Sequence, residues 1–233
     1  RSGVKDVARW YIGSGIYRHA WLQVTNPVHV ATYGTYVTTP SVSEDKAEIR
    51  IMTTLENELK KVQTVSISHL ILDNQGKIVA KSGTEKTLFE AGQSIKITQN
   101  LTLNYPRLWT LEKPELYTLE TTVKANGKVT DLYKTPFGIR TIAFDSEKGF
   151  LLNGKQVKLK GMCLHQDAGS LGTAVLDRSY ERRLEIIKEY GCNAIRCSHN
   201  QPSPEFLDMC DRMGFVVIDE AFDKWKSGYY EKY

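Results

Sequence analysis

Seven residues whose side chains could bind a ligand or react follow three short apolar segments in the last third of the chain. They are His165, Asp167, Arg196, Ser198, His199, Asp219 and Glu220. The carboxyl ends of parallel strands meet on one face of a barrel, so we expect these side chains to converge. Two imidazoles and a guanidinium among carboxylates suit a hydroxyl-rich ligand such as a sugar. For either histidine alone, a structural role is the alternative.

Two pairs of neighbouring residues, Asp219-Glu220 and Asn57-Glu58, resemble the acid and nucleophile motifs of a glycosidase. Adjacent strand residues point to opposite faces, so Asp219 and Glu220 cannot both flank one bond. We expect one of them to line the pocket and the other to brace the wall. Asn57-Glu58 stands amid alternating strand patterns, and we interpret it as a solvated turn.

Four cysteines, at positions 163, 192, 197 and 210, form neither CxxC pairs nor a dispersed disulfide scaffold. We therefore predict buried, reduced thiols. Two Cys-x-His tripeptides, at 163–165 and 197–199, keep a metal site open as an alternative, because residues i and i+2 of a strand face the same way.

The elements that carry these residues alternate between strand and helix. Apolar spacing predicts strands at 158–165, 192–197 and 215–218, a helix from about 178 to 190 capped by Asp177, and a helix at 204–213. Short connections in the order βαβαβ indicate a parallel sheet. Polar strand ends, the lack of a glycine-rich turn after the first strand, the sandwich in front and the family resemblance described below together favour the start of a TIM barrel over a doubly wound sheet.

The preceding sequence, from about 27 to 144, is almost wholly of the strand type. About seven short alternating segments separated by turn residues indicate an immunoglobulin-like β-sandwich. Asn126-Gly127 predicts a hairpin there, and Asn153-Gly154 predicts another just after it. Ala20–Val24 is strand-like, so residues 1–25 are interpreted as the end of an upstream sheet domain.

Charge and hydropathy exclude some classes of partner. Of 233 residues, 31 are basic and 27 acidic, and no basic run reaches five residues, so we expect no nucleic-acid partner. No apolar stretch approaches the roughly 18 residues of a membrane span. The first residues do not form a signal peptide, and the compartment stays open.

Several segments resemble glycoside hydrolase family 2, which includes β-galactosidases, β-glucuronidases and β-mannosidases. They are Gly13–Arg18, Pro114–Tyr117, Phe137–Arg140, Asn193–His199 and Asp211–Glu220. The resemblance implies a jelly-roll end at 1–25, a sandwich at 26–144 and the first part of a TIM barrel at 145–233. It also implies a retaining mechanism with two glutamates on later strands. Both would lie beyond residue 233, so we expect this chain alone to be inactive and prone to self-association, which leaves a homo-oligomer open.

The resemblance also implies roles for the strand-end residues. His165 and His199 would bind a carbohydrate substrate, with Asp167 a weaker candidate, and Arg196 would keep the nucleophile ionised. Asp219 and Glu220 would form pocket wall. Family galactosidases bind magnesium just after this pair, but Lys224 stands near that position, so we expect no cofactor.

Arg9 and Trp10 replace an aspartate that some members of the family use to reach the sugar, which leaves the sugar open. The alternative from another class is a non-catalytic carbohydrate-binding or scaffold module built on the sandwich. The sandwich sequence has no evident stripe of exposed aromatic residues for stacking on sugars.

Overall fold

Alternation of apolar and polar residues folds the middle of the chain into strands whose apolar faces are buried. In the strand Lys46–Asn57, the side chains of Ala47, Ile49 and Ile51 are fully buried while their neighbours face outward. The computed structural model describes residues 15–83 and 86–221. It divides them into two units, one of residues 23–157 and the other of residues 15–22 and 158–221. Residues 1–14, and with them Arg9 and Trp10, lie outside the described residues.

The first unit contains a sandwich of two antiparallel sheets, which confirms the predicted architecture. One sheet has the order β1-β2-β6, and the other has the order β4-β3-β7-β8 with β5 paired to β3. The strands are β1 (Val28–Val42), β2 (Lys46–Asn57), β3 (Gln63–Leu72), β4 (Ile78–Gly83), β5 (Thr87–Phe89), β6 (Ser94–Asn104), β7 (Tyr117–Ala125) and β8 (Lys128–Phe137). Their inward residues pack as two adjoining apolar clusters.

Both predicted Asn-Gly turns are present. Asn126 and Gly127 have φ angles of 51° and 82° and connect β7 to β8. Asn153 and Gly154 connect β10 (Gly149–Leu152) to β11 (Lys155–Gln156), and β9 (Ile142–Asp145) completes that small sheet. A positive φ at both central residues gives the turn a twist that matches the strands.

Asn57 corrects the interpretation of Asn57-Glu58 as a solvated turn. Glu58 is exposed, but Asn57 ends β2 and is only 1% exposed. Its Nδ2 donates to the carbonyl oxygens of Phe89 at 3.1 Å and Glu90 at 3.0 Å. The asparagine therefore links the end of β2 to the chain that leaves β5 toward β6.

The second unit has the predicted βαβαβ order. Its elements are β12 (Gly161–Leu164), α1 (Asp177–Glu189), β13 (Ala194–Cys197), α2 (Pro204–Met213) and β14 (Val216–Ile218). The three strands are parallel, in the order β12-β13-β14. Apolar residues of both helices pack on one face of this sheet, among them Leu184, Phe206 and Ile195.

Local signals at the ends of the helices explain one prediction and overturn another. Ser203 accepts from the Phe206 N–H, Pro204 opens α2 and Gly214 ends it at a φ of 72°, so α2 is as predicted. In α1, the residue before the helix is Leu176 and makes no side-chain cap, so the cap predicted at Asp177 is wrong.

Two further findings concern segments outside the sheets. Ala20–Val24, predicted to be strand-like, forms no strand, and its residues are exposed. No helix in the two described stretches is long and apolar enough to cross a membrane.

Candidate functional site at the strand ends

Arg196 lies at the centre of a polar cluster at the carboxyl ends of β12, β13 and β14. Parallel register places Cys163, Arg196 and Ile218 at the same level of the three strands. The Nε of Arg196 donates to Oε1 of Glu220, just beyond β14. Its Nη1 lies 3.8 Å from the Cys163 sulfur. One guanidinium therefore links the ends of three strands.

His199 closes the same cluster from the loop after β13. Its Nδ1 lies 3.0 Å from Oε2 of Glu220 and 3.4 Å from Nη2 of Arg196. A carboxylate only accepts hydrogen bonds, so the shorter contact requires the proton on Nδ1. We therefore assign the neutral ring to the Nδ1–H tautomer, with Nε2 as an acceptor. The Glu220 carboxylate thus binds Arg196 through one oxygen and His199 through the other.

Charge pairing shifts the ionisation of this cluster in a consistent direction. The hydrogen bond from His199, with help from Arg196, lowers the pKa of the Glu220 carboxyl. The same carboxylate raises the pKa of Arg196. Glu220 is therefore anionic at neutral pH and fixes the direction of the guanidinium.

The two histidines predicted to bind a sugar lie beside each other. The rings of His165 and His199 meet edge to face, with 5.4 Å between centroids and 81° between planes. Both side chains are partly exposed. Their side-by-side position gives the cluster two adjacent imidazoles at its surface.

Among the described residues, neither the Asp167 nor the Asp219 carboxylate is hydrogen-bonded to Arg196, His199 or Glu220. The backbone carbonyl oxygen of Asp167 accepts from Arg183 Nη2 of α1 at 2.6 Å. Asp219 is exposed, and its charge adds to burial, which is the main cause of the raised pKa of Cys197. Of the adjacent carboxylates, Glu220 thus binds the cluster, while the roles predicted for Asp167 and Asp219 stay predictions.

The prediction that all the thiols are buried is wrong at Cys163. Cys197 and Cys210 are buried, Cys192 is intermediate, and Cys163 is exposed. The nearby Ser198 side chain, and then the Arg196 guanidinium, lower the pKa of Cys163. Burial raises the pKa of Cys197 to about 12. Cys163 therefore belongs to the strand-end cluster, which its i+2 spacing from His165 could have signalled.

The Cys-x-His tripeptides do not assemble a metal-binding group. Within residues 15–83 and 86–221, the one group of His, Cys, Asp or Glu with suitably close ligand atoms is His29, Glu56 and Glu58 in the sandwich. Most of the stretch that bears on magnesium, Phe222 to Trp225 with Lys224, lies outside the described residues.

Two family models match this sequence. "Glycosyl hydrolases family 2" covers residues 28–140, and "Glycosyl hydrolases family 2, TIM barrel domain" covers residues 144–225. The chain belongs to glycosyl hydrolases family 2.

Relatives in the family differ in the activity that their names give. The chain is 51% identical over 219 residues to a β-galactosidase of Bacteroides ovatus. This match covers 94% of the chain and 26% of the relative. It is 33% identical over 214 residues to a β-glucuronidase of Formosa agariphila. That match covers 88% of the chain and 22% of that relative. The chain thus spans about a quarter of the length of these relatives.

Solved structures of the family are also similar. A family 2 member from Bacteroides cellulosilyticus has a TM-score of 0.89 at 43% identity, over 96% of this chain and 31% of the other. A β-glucuronidase of Bacteroides uniformis has a TM-score of 0.85 at 29% identity, over 99% of this chain and 29% of the other.

Proposed function

We propose that the whole protein to which this chain belongs is a retaining β-glycosidase that removes terminal β-linked sugars, with a β-galactoside as its substrate. This chain supplies one wall of the sugar site. The observation that carries the proposal is the cluster of Arg196, His199 and Glu220 beside His165 at the ends of parallel strands. Two adjacent imidazoles suit hydrogen bonding to neighbouring sugar hydroxyls.

Arg196 acts on the nucleophile through charge in this proposal. In a retaining mechanism one glutamate attacks the anomeric carbon while another protonates the leaving oxygen. A guanidinium carries five N–H donors, and three of its nitrogens already reach Glu220, Cys163 and His199. The remaining N–H groups can bind a second carboxylate, which a cation within about 4–6 Å keeps ionised.

The choice of a galactoside rests on similarity. The β-galactosidase of Bacteroides ovatus shares 51% identity with the chain, whereas the β-glucuronidase of Formosa agariphila shares 33%. A glucuronide adds a carboxylate to the sugar, which requires a cationic partner in the site. A β-glucuronide is the second candidate substrate, because several relatives are β-glucuronidases.

The test compares aryl β-galactoside and aryl β-glucuronide hydrolysis by the whole protein and by residues 1–233 alone. We expect the whole protein to cleave the galactoside with retention of anomeric configuration and the segment alone to be inactive. If the whole protein prefers the glucuronide, its substrate is a β-glucuronide instead of a β-galactoside, and the proposed reaction class is unchanged. Absence of hydrolysis of any β-glycoside by the whole protein would refute the enzyme proposal.

A further inference from the structure

We propose that Arg18 is a positioning residue for His199, and that it acts by holding the loop between β13 and α2. The inference rests on the proposed function, since it concerns a residue of the same sugar site. Arg18 lies 181 positions before His199 in the sequence. Arg18 is not one of the residues at the ends of β12, β13 and β14.

The guanidinium of Arg18 binds two consecutive carbonyl groups of this loop. Nη2 donates to the carbonyl oxygen of Gln201 at 2.6 Å, and Nη1 donates to that of Pro202 at 3.3 Å. Neither carbonyl belongs to a helix or a strand, so neither has a ladder partner. A forked cation can satisfy both at once, which a single ammonium group cannot do with the same geometry.

The loop is also fixed at both of its ends. The Ser198 N–H donates to the Leu164 carbonyl at 2.9 Å, which continues the β12–β13 pairing. At the other end, the Ser203 side chain caps α2. His199 and Asn200 lie between the first anchor and the carbonyls that Arg18 holds, so Arg18 decides the path of the segment that carries His199.

Apolar side chains lie beside Arg18. Leu164, Tyr180 and Phe206 line a small cavity together with Arg18. The neighbouring His19 binds Asp177 through Nε2 at 3.0 Å, which ties the same short segment to the first residue of α1.

Loss of Arg18 is expected to act through His199. Without the guanidinium, the Gln201 and Pro202 carbonyls must find water, and the loop can leave the position in which His199 reaches Glu220. A displacement of about 1 Å at a substrate-contacting group can cost on the order of 100-fold in rate. We therefore expect Arg18→Ala to lower kcat/KM of the whole enzyme by roughly 10- to 100-fold, with Arg18→Lys intermediate.

The experiment is a double-mutant cycle in the whole enzyme with Arg18→Ala, His199→Ala and both together, assayed on the aryl glycoside that the wild type cleaves. If Arg18 acts through His199, Arg18→Ala changes kcat/KM by less than about twofold in the His199→Ala background. Arg178→Ala is the matched control, because within the described residues Arg178 forms its ion pairs with the partly exposed Glu181 and Glu185 of its own helix. It should leave kcat/KM unchanged.

Two results would overturn the inference: an unchanged kcat/KM in Arg18→Ala, or losses that multiply in the double variant. If Arg18→Ala does not fold, Arg18→Lys carries the same cycle. A crystal structure of either Arg18 variant gives a readout that does not need activity. An unmoved loop at 199–202 would contradict the positioning role, whereas an inactive wild type would refute only the proposed function.

Discussion

His69 is an ionisable side chain in the core of the sandwich. It is 1% exposed, and its Nδ1 lies 3.0 Å from the hydroxyl of Thr121, directly opposite on β7. Burial lowers its pKa from 6.5 to about 4. Between these two values the unfolded chain binds a proton that the folded chain does not, so stability falls as the pH falls.

We expect the free energy of unfolding to decrease by about 2 kcal/mol from this group between pH 7 and pH 5. Urea unfolding at the two pH values measures it. The double variant His69→Leu/Thr121→Val removes the titrating group together with its partner, and it should lack this part of the pH dependence. An equal decrease in the wild type and the variant would assign the effect to other groups.

At the residue scale, the sequence predicts which side chains lie at the strand ends, but it does not predict which of them form hydrogen bonds or ion pairs with each other. The positions of His165, Arg196, His199 and Glu220 at the strand ends follow from the strand pattern. The contribution of Cys163 depends on its register with Arg196, and that of Arg18 depends on a contact with Gln201 far along the chain. The spacing of Cys163 from His165 is a weak local signal for the first contact, and no local pattern signals the second.

Gly161 shows what the parallel strands require of one position. A Cβ at Gly161 would lie 2.8 Å from the Ala194 carbonyl oxygen and 3.1 Å from its Cβ. Gly161→Ala must therefore push β12 away from β13, at a cost of roughly 1–3 kcal/mol. Thermal or urea unfolding of the variant measures this loss.

Gly83→Ala is the control, because a Cβ at that strand position meets no atom within 4 Å. We expect it to be neutral or to stabilise by about 0.5–1 kcal/mol, since glycine loses more backbone entropy on folding. Equal effects of the two substitutions would show that close approach at Gly161 is not the cause.

At the element scale, prediction succeeds where the signals are local. Helix α2 has its capping serine, its proline and its terminal glycine within its own sequence. Helix α1 begins one residue earlier than expected, and Asp177 does not cap it because its carboxylate binds His19 instead. His19, 158 positions away in the sequence, thus binds the carboxylate that local sequence rules assign to the helix cap.

At the scale of the whole molecule, the sandwich unit of residues 23–157 has an apolar core of its own. The sandwich buries residues from both sheets, with Ile49, Val65 and Leu119 fully inaccessible. We expect residues 23–157, expressed alone, to unfold in urea in a single cooperative transition with native near-UV circular dichroism. Leu119→Ala in the same segment should lower stability by about 2–5 kcal/mol. A gradual transition would contradict an independent core.

At this scale the sequence predicts the order of architectures because each has its own period, two residues for the sandwich and 3.6 for the helices. Asn153 accepts from the Thr141 N–H at 2.9 Å and donates to the Trp109 carbonyl at 3.0 Å, and residues up to 157 form one compact unit with the sandwich. The domain boundary at 145 rests on a change of period and stays a prediction.

The same two Asn-Gly turns bear on chemical ageing of the protein. An asparagine before glycine deamidates when its side-chain carbon meets the next backbone nitrogen and closes a ring. Here both asparagine side chains are held elsewhere: Asn126 by Thr64 and Gln63, and Asn153 by Thr141 and Trp109. Deamidation should therefore be slow at both positions in folded molecules. Deamidation found there would indicate that the molecule had been locally unfolded.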